Sequence, residues 1–414
     1  MLFVKLFNSI ECPVYSLLLF RKKLLETTLY VIKDVIENLK YLNDKIVFSP
    51  NDISQNRYPI RKSTGLETYI LGAFNPGLTR LPNGNLMMMV RVAESIKEPI
   101  KEGKFRYIRW SSEKGYVVEE HPTFQLDTSD PRKFQFLEYD YLKVFGLTSF
   151  SWLLPVELSP DGLEIIIIYY DKIIEPQTSY QEYGIEDPRI TKIENTYYMT
   201  TCSVSSERHS TTLYSSENGL DYTLLGIIMD HQNKDMVLFP EKINGKYYAL
   251  TRPLGELYFT VPGNSEYLPG TSINLAESPD LLHWKPVDTP YIRARNNSMI
   301  SLKLGGGAPP IKTDAGWLIL FHGVDNCGPI GCYRTFYAIA EYDNPEKIIS
   351  INDKSPVLES KVELTNSLTE QIYIDGVVFT TGIEEYDDTF IVASGELDLA
   401  CRITHIEKIY FNPF

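Results

Sequence analysis

Cysteine and histidine are scarce in this 414-residue chain, and basic residues are outnumbered. Each shortage excludes something. The five cysteines, Cys12, Cys202, Cys327, Cys332 and Cys401, are odd in number and fit no zinc spacing; only Cys327 and Cys332 lie close. Free thiols in a reducing compartment are the simplest expectation, and with it a cytoplasmic protein. The six histidines do not cluster with cysteine or with one another, and no Asp-rich calcium loop occurs, so no metal is expected. No GxSxG elbow is present to mark a serine hydrolase of that type. Lys and Arg total 40 against 54 Asp and Glu, a net charge of −14, which argues against a nucleic-acid-binding surface. The apolar run from Val14 to Phe20 is too short to span a bilayer. Arg21, Lys22 and Lys23 follow it, the reverse of a signal peptide's order, so no membrane association is expected. What the chain does have is aromatic surface: 28 tyrosines among 12% aromatics suit an all-β protein or a carbohydrate binder.

Two patterns organise the chain. Leu25, Leu29, Ile32, Ile36 and Leu39 recur at steps of three and four, which predicts a helix over residues 24–45. This gives a helical N-terminal extension, residues 1–60, ahead of a main domain at 61–414. Beyond residue 65 five segments repeat one shape: a short strand, a polar turn and a second apolar strand. They begin FNPGLTRLPNGN (74–85), EDPRITKIENT (186–196), LFPEKINGK (238–246), APPIKTDAG (308–316) and VFTTGIEEYDD (378–388). Pro76, Pro188, Pro240 and Pro310 fall at the same point in the first four, and the turns have hairpin chemistry. A second set, 106–117, 211–226 and 273–287, reads as outer hairpins. An inner and an outer hairpin per unit, repeated five times, predict an all-β fold, a five-bladed β-propeller. A β-sandwich or a β-helix is the alternative.

Ligands of a propeller sit at one mouth of the channel that the inner strands line. The inner hairpins begin with Asn75, the pair Glu186-Asp187, the pair Lys234-Asp235 and glycines 305–307; at the far ends of their second strands stand Arg91, Arg252, His322 and Asp398. Charge at the end of an apolar strand is costly unless solvated, paired or used. Lys234, Arg252, Lys303, His322 and Arg91 form a local positive field in an acidic protein, the mark of an anion site, and Arg with Lys suits phosphate. Gly305, Gly306 and Gly307 offer backbone amides to the same anion. Asp187, Asn75 and Asp398 are polar groups able to hold sugar hydroxyls, and Tyr183 could stack on a pyranose.

The segments GIEDPRI (184–190), NKDMVLFPEKINGKYYALTRP (233–253) and KLGGGAPPIKTDAGWLILFHGV (303–324), with FNPGLTRL (74–81) ahead of them, closely resemble glycoside hydrolase family 130. The resemblance covers about residues 65–400. It implies a five-bladed propeller acting on β-mannosides, in most members an inverting phosphorylase and in some a β-mannosidase. It implies Asp187 as the general acid, its proton travelling through a mannose hydroxyl. It implies Lys303, Arg252 and His322 as phosphate ligands, and Asn75, Arg91 and Asp398 as holders of the mannose. Lys234-Asp235 stands where many of the phosphorylases carry Arg-Asn. Lys234 is counted with the phosphate set, Glu186 and Asp235 with the substrate set.

An inverting hydrolase needs an acid and a base, whereas a phosphorylase needs one acid and cations to hold its nucleophile. The cations favour phosphorolysis to mannose 1-phosphate, with inorganic phosphate as co-substrate and no cofactor. Hydrolysis remains the alternative, with Asp235, Glu241 or Glu256 as base; a non-catalytic sugar-binding propeller is a minor one. A mannose-containing oligosaccharide is the expected partner, and a homo-oligomer is possible.

Overall fold

The computed structural model describes residues 41–411 except 140–142, 230, 256–257 and 329, and except the side chains of 288 and 289. The described residues form five blades of four antiparallel strands. Blade 1 comprises Thr68–Arg80, Leu86–Ile96, Ser149–Leu158 and Ile165–Ile168; blade 2 comprises Gly184–Ile193, Thr196–Val204, His209–Ser216 and Thr223–Ile227. Blade 3 comprises Asn233–Leu238, Tyr247–Pro253, Tyr267–Ser278 and Lys285–Arg295. Blade 4 opens with Lys303–Gly306 and Ile311–Thr313, then Gly316–Asp325, Cys332–Ala340 and Ile348–Asn352. Blade 5 comprises Val378–Tyr386, Thr389–Glu396 and Ala400–Glu407, completed by Tyr41–Phe48 from the start of the chain.

Blade stacking explains the composition of the inner strands. A strand covered on both faces loses polar/apolar alternation and reads as a continuous apolar run. Leu86–Ile96 is buried at every position but Arg91, whereas the outermost Thr223–Ile227 is not buried at any. Each blade shares a core with the next. Met89 and Leu153 meet Ile185 and Met199; Ile193 and Leu213 meet Met236 and Leu238. Phe239 and Leu250 meet Trp317 and Phe336; Leu318 and Leu320 meet Val378 and Val392. The fifth core joins Ile391 and Ile403 of blade 5 to Leu78, Met88 and Trp152 of blade 1, which closes the ring.

Four expectations are corrected. Residues 41–45, assigned to the end of the helix, lie in the strand Tyr41–Phe48, which pairs with Ala400–Glu407; the rest of that predicted helix lies outside the described residues. The boundary at residue 60 therefore falls inside the fold. Glu94 of blade 1 accepts from the amides of Ile60 and Arg61, 3.2 and 2.9 Å, and caps the short helix Pro59–Thr64. The segment 106–117 does form a hairpin, but not the outer hairpin of blade 1. It belongs to residues 97–148, which fold as two small three-stranded sheets inserted between the second and third strands of that blade. Cys327 and Cys332 are not free thiols. Asp325 pairs with Cys332 across the strands, which brings the Cα atoms of Cys327 and Cys332 to 5.4 Å, and the two cysteines form a disulfide. Cys202 and Cys401 are free and buried; Cys12 lies outside the described residues.

Candidate active site

The inner strands of blades 1, 2 and 3 share one irregularity. Each slips register at the same place, after Phe74, Glu186 and Lys234. The next residues, Asn75, Asp187 and Asp235, have φ of 49°, 51° and 55°. This left-handed conformation costs most residues a clash, and Asn and Asp tolerate it best. A bulge of this kind re-aims a side chain away from the pleat. With Asp398, φ 47°, these residues face a cavity of about 440 Å³ at one mouth of the channel. Arg91, Glu186, Lys234, Arg252 and Lys303 line it too, so one cavity gathers every residue counted with the acid, phosphate and substrate sets except His322.

Asp187 is tightly held. Its Oδ1 accepts from Asn75 Nδ2 at 2.9 Å and from Arg91 Nη1 at 2.8 Å; no hydrogen bond from the described residues reaches Oδ2. Arg91 also binds Glu186 Oε1 at 2.8 Å, and Lys234 Nζ binds Glu186 Oε2 at 3.1 Å. Burial pushes the Asp187 carboxyl up, but the charges of Arg91, Arg189 and Lys234 and the Asn75 bond outweigh it, holding the group well below the usual carboxylate range. Asp398 behaves oppositely. Burial, aided by the Asp187 and Glu186 charges, overcomes Arg91 and Arg132 and raises it to about 6.

The anion half is built around Asp235. Its Oδ1 meets Arg189 Nη2 at 3.1 Å and its Oδ2 meets Arg252 Nη1 at 2.9 Å. His322 Nε2 stands 3.3 Å from Arg252 Nη1 and 3.6 Å from Asp235 Oδ2. Lys303 differs from these groups. It has no ion pair among the described residues and lies over the Tyr333 ring at 4.7 Å. Burial, with the charges of Arg252, Arg132 and Lys234, lowers its pKa to about 8. Six cations and four carboxylates line the cavity, an excess of positive charge inside an acidic protein. Two buried polar atoms of cavity-lining residues, Asn75 Oδ1 and Arg252 Nε, are left without hydrogen bonds, where a ligand would supply partners; His322 Nδ1 is also without one.

Several predicted roles shift. His322 does not line the cavity: it is fully buried beneath Arg252, with its ring 4.5 Å from Phe379. Burial, with the Arg252, Arg189 and Lys303 charges, lowers its pKa to about 3, so it is a neutral ring and not a cation at ordinary pH. Glycines 305–307 do not offer their amides as a nest. The Gly307 amide donates to Leu320, and the carbonyls of Gly306 and Gly307 accept from Arg189. Gly305 is required by space, because a Cβ there would stand 2.4 Å from Asp235 Oδ2 and 2.5 Å from His322 Cε1. Tyr183 packs against the aromatic cluster of the insertion instead of facing the cavity. Glu241 is exposed and pairs with Lys312 at 2.7 Å, away from the site; Glu256 lies outside the described residues.

Other residues were missed. The insertion brings Arg132, Lys133 and Phe145 to the cavity, and Tyr333 and Tyr373 add phenolic rings. No repeat pattern marks these, although Arg132 and Lys133 are adjacent cations in an acidic chain. Arg189 was legible, since it shares the EDPR motif with Asp187. It is 2% exposed, binds Asp235 and the carbonyl of Asp187, and so ties the two halves together.

Comparison with known proteins agrees with this arrangement. Residues 149–410 match the family described as beta-1,4-mannooligosaccharide phosphorylase, glycoside hydrolase family 130. The chain is 31% identical over 254 residues to a 1,2-beta-oligomannan phosphorylase of Thermoanaerobacter, covering 60% of this chain and 77% of that one. It is 29% identical over 340 residues to a beta-1,2-mannobiose phosphorylase of Listeria innocua, covering 80% of this chain and 87% of the relative. The solved structure of the Listeria innocua beta-1,2-mannobiose phosphorylase with beta-1,2-mannobiose superimposes with a TM-score of 0.73 at 26% identity, over 90% of this chain and 98% of that one. The chain belongs to glycoside hydrolase family 130.

Proposed function

We propose that this protein cleaves β-mannosides by phosphorolysis with inversion, releasing α-mannose 1-phosphate. The observation that carries the reading is Lys303, a half-buried cation with no ion pair among the described residues, beside Arg252 and Lys234 and in one cavity with Asp187. An anion site next to an acid is what phosphate attack needs and water attack does not.

In the proposed reaction the sugar sits between Asp187 and the cations. An oxygen of hydrogen phosphate attacks the anomeric carbon from the face opposite the leaving group. The glycosidic C–O bond breaks, and the leaving oxygen takes the Asp187 proton, directly or through a sugar hydroxyl. The phosphoryl group then gives up its own proton, which restores the acid. The surrounding cations favour the ionised form of Asp187 before the substrates bind. A phosphate dianion bound to Lys303, Arg252 and Lys234 offsets those charges, and sugar binding removes water. Both raise the carboxyl's proton affinity, so co-substrate binding arms the acid.

Among the described residues a hydrolytic base has little support. Glu241 points elsewhere, and Asp235 is fixed by Arg189 and Arg252, which, against burial, hold its proton affinity low. The β-1,2 linkage is the favoured one, because the relatives named above act on β-1,2-mannosides. Incubating the protein with β-1,2- and β-1,4-mannobiose in phosphate tests both points: mannose 1-phosphate should form, faster from the β-1,2 isomer. The opposite preference would overturn the linkage reading.

A further inference from the structure

A second cavity, of about 430 Å³, lies between the inserted hairpin and the loops at the rim of blade 2. Its floor is a fixed chain of charge-assisted bonds. Arg109 donates to Glu119 Oε1 through Nε and Nη2, at 3.1 and 2.6 Å, and to Glu182 Oε1 through Nη1 at 2.9 Å. The Ser206 amide donates to Glu182 Oε2 at 2.9 Å. The Trp110 amide donates to the Glu182 carbonyl at 2.8 Å, so the hairpin is tied to blade 2 across the cavity floor. Trp110 and Tyr180 supply ring surface, and serines from three loops supply hydroxyls.

The charge balance separates this cavity from the first. Two arginines and two glutamates line it, against the cationic excess around Lys303. A balanced, preorganised polar floor beside aromatic rings suits a neutral polyhydroxylated ligand and offers no excess charge to a second anion. The two cavities are neighbours. Glu182 lines one and Glu186 the other, and four residues of chain reach at most about 14 Å. Arg208 and His209 likewise line one each, and the insertion walls both.

We infer that this cavity is a remote glycan subsite, which holds the distal units of a longer β-mannan chain while its terminal unit is at Asp187. The inference rests on the proposed function and adds selection for chain length. Tyr180→Ala tests it, because Tyr180 stands on a rim loop, whereas Trp110 also packs with Ile60 and Phe150. With saturating phosphate, kcat/KM for β-1,2-mannohexaose should fall about 3- to 10-fold, the range of one lost ring contact, and Tyr180→Phe should restore it. The value for mannobiose should stay within about twofold, since only units beyond the disaccharide are assigned to the second cavity. Equal losses on both substrates, or none on either, would overturn the subsite. If the wild type makes no mannose 1-phosphate, the proposed function fails, and direct titration still decides the subsite. In an Asp187→Asn background, Tyr180→Ala should weaken mannohexaose binding and spare mannobiose; unchanged hexaose binding would refute it.

Discussion

Asp187 Oδ1 takes two hydrogen bonds while no described residue reaches Oδ2. That asymmetry fixes the carboxyl plane and leaves one oxygen for chemistry. Asp187→Asn preserves shape and removes the proton, so turnover should fall by ~10²–10⁴-fold or more with the far-ultraviolet circular dichroism unchanged. Retention of most activity would reject Asp187 as the acid. Lys303 sets a pH limit. Its pKa is about 8, so it is cationic below that pH and neutral above. The KM for phosphate should therefore rise as pH increases through about 8, while the KM for the sugar changes little. Lys303→Met should raise the phosphate KM roughly 10- to 100-fold, the worth of one charge-assisted bond, and abolish that pH dependence. A phosphate KM as low as that of the wild type would show that Lys303 does not hold the anion.

The strand Tyr41–Phe48 joins the first described residues to the last blade, and its anchor is electrostatic. Asp44 receives Arg402 at 2.7 and 2.8 Å, and Arg402, fully buried, also binds Glu396 Oε2 at 2.9 Å. Removing one partner of a buried pair strands the other charge, at about 3–5 kcal/mol. Arg402→Met should lower the urea midpoint accordingly, and an unchanged midpoint would mean the strand is held by its backbone ladder, the Asp44–Lys361 pair and apolar contacts instead. Legibility in the sequence followed the same division of elements. The five inner hairpins were readable because burial on both faces forces apolar runs and tight turns. Asn75, Asp187 and Asp235 were readable because a bulge repeated in three blades puts polar groups where apolar ones belong. The role of 41–48 was not, since pairing with residues over 350 positions away leaves no local signal. The insertion was misread because its hairpin has the same turn chemistry as an outer blade hairpin. Its position is decided by Phe105, Tyr107 and Phe134 packing with Tyr183. Arg132 therefore reached the cavity unannounced. Its Nε and Nη2 bind Asp130 at 3.1 Å each, and Nη1 has no hydrogen bond among the described residues. Arg132→Ala should slow phosphorolysis; wild-type kinetics would assign it to holding the insertion only. The neutrality of His322 was equally hidden, because it depends on burial and three neighbouring cations.

At the scale of the whole molecule, the ring concentrates at one mouth what the sequence disperses over more than 300 residues. Asn75 and Asp398 face the same cavity because blade 5 packs on blade 1, and Asp187 joins Asp235 through Arg189 because blade 2 packs on blade 3. A net charge of −14 on the chain surrounds a cationic pocket, an arrangement that favours anions only at the site. The central claim is that phosphate is the nucleophile held in that pocket. It is tested most directly by following β-1,2-mannobiose by phosphorus and proton NMR with and without inorganic phosphate. The account predicts one α-mannose 1-phosphate and one mannose per disaccharide, with consumption only when phosphate is present. Release of two free mannose molecules per disaccharide at full rate in phosphate-free buffer would contradict it.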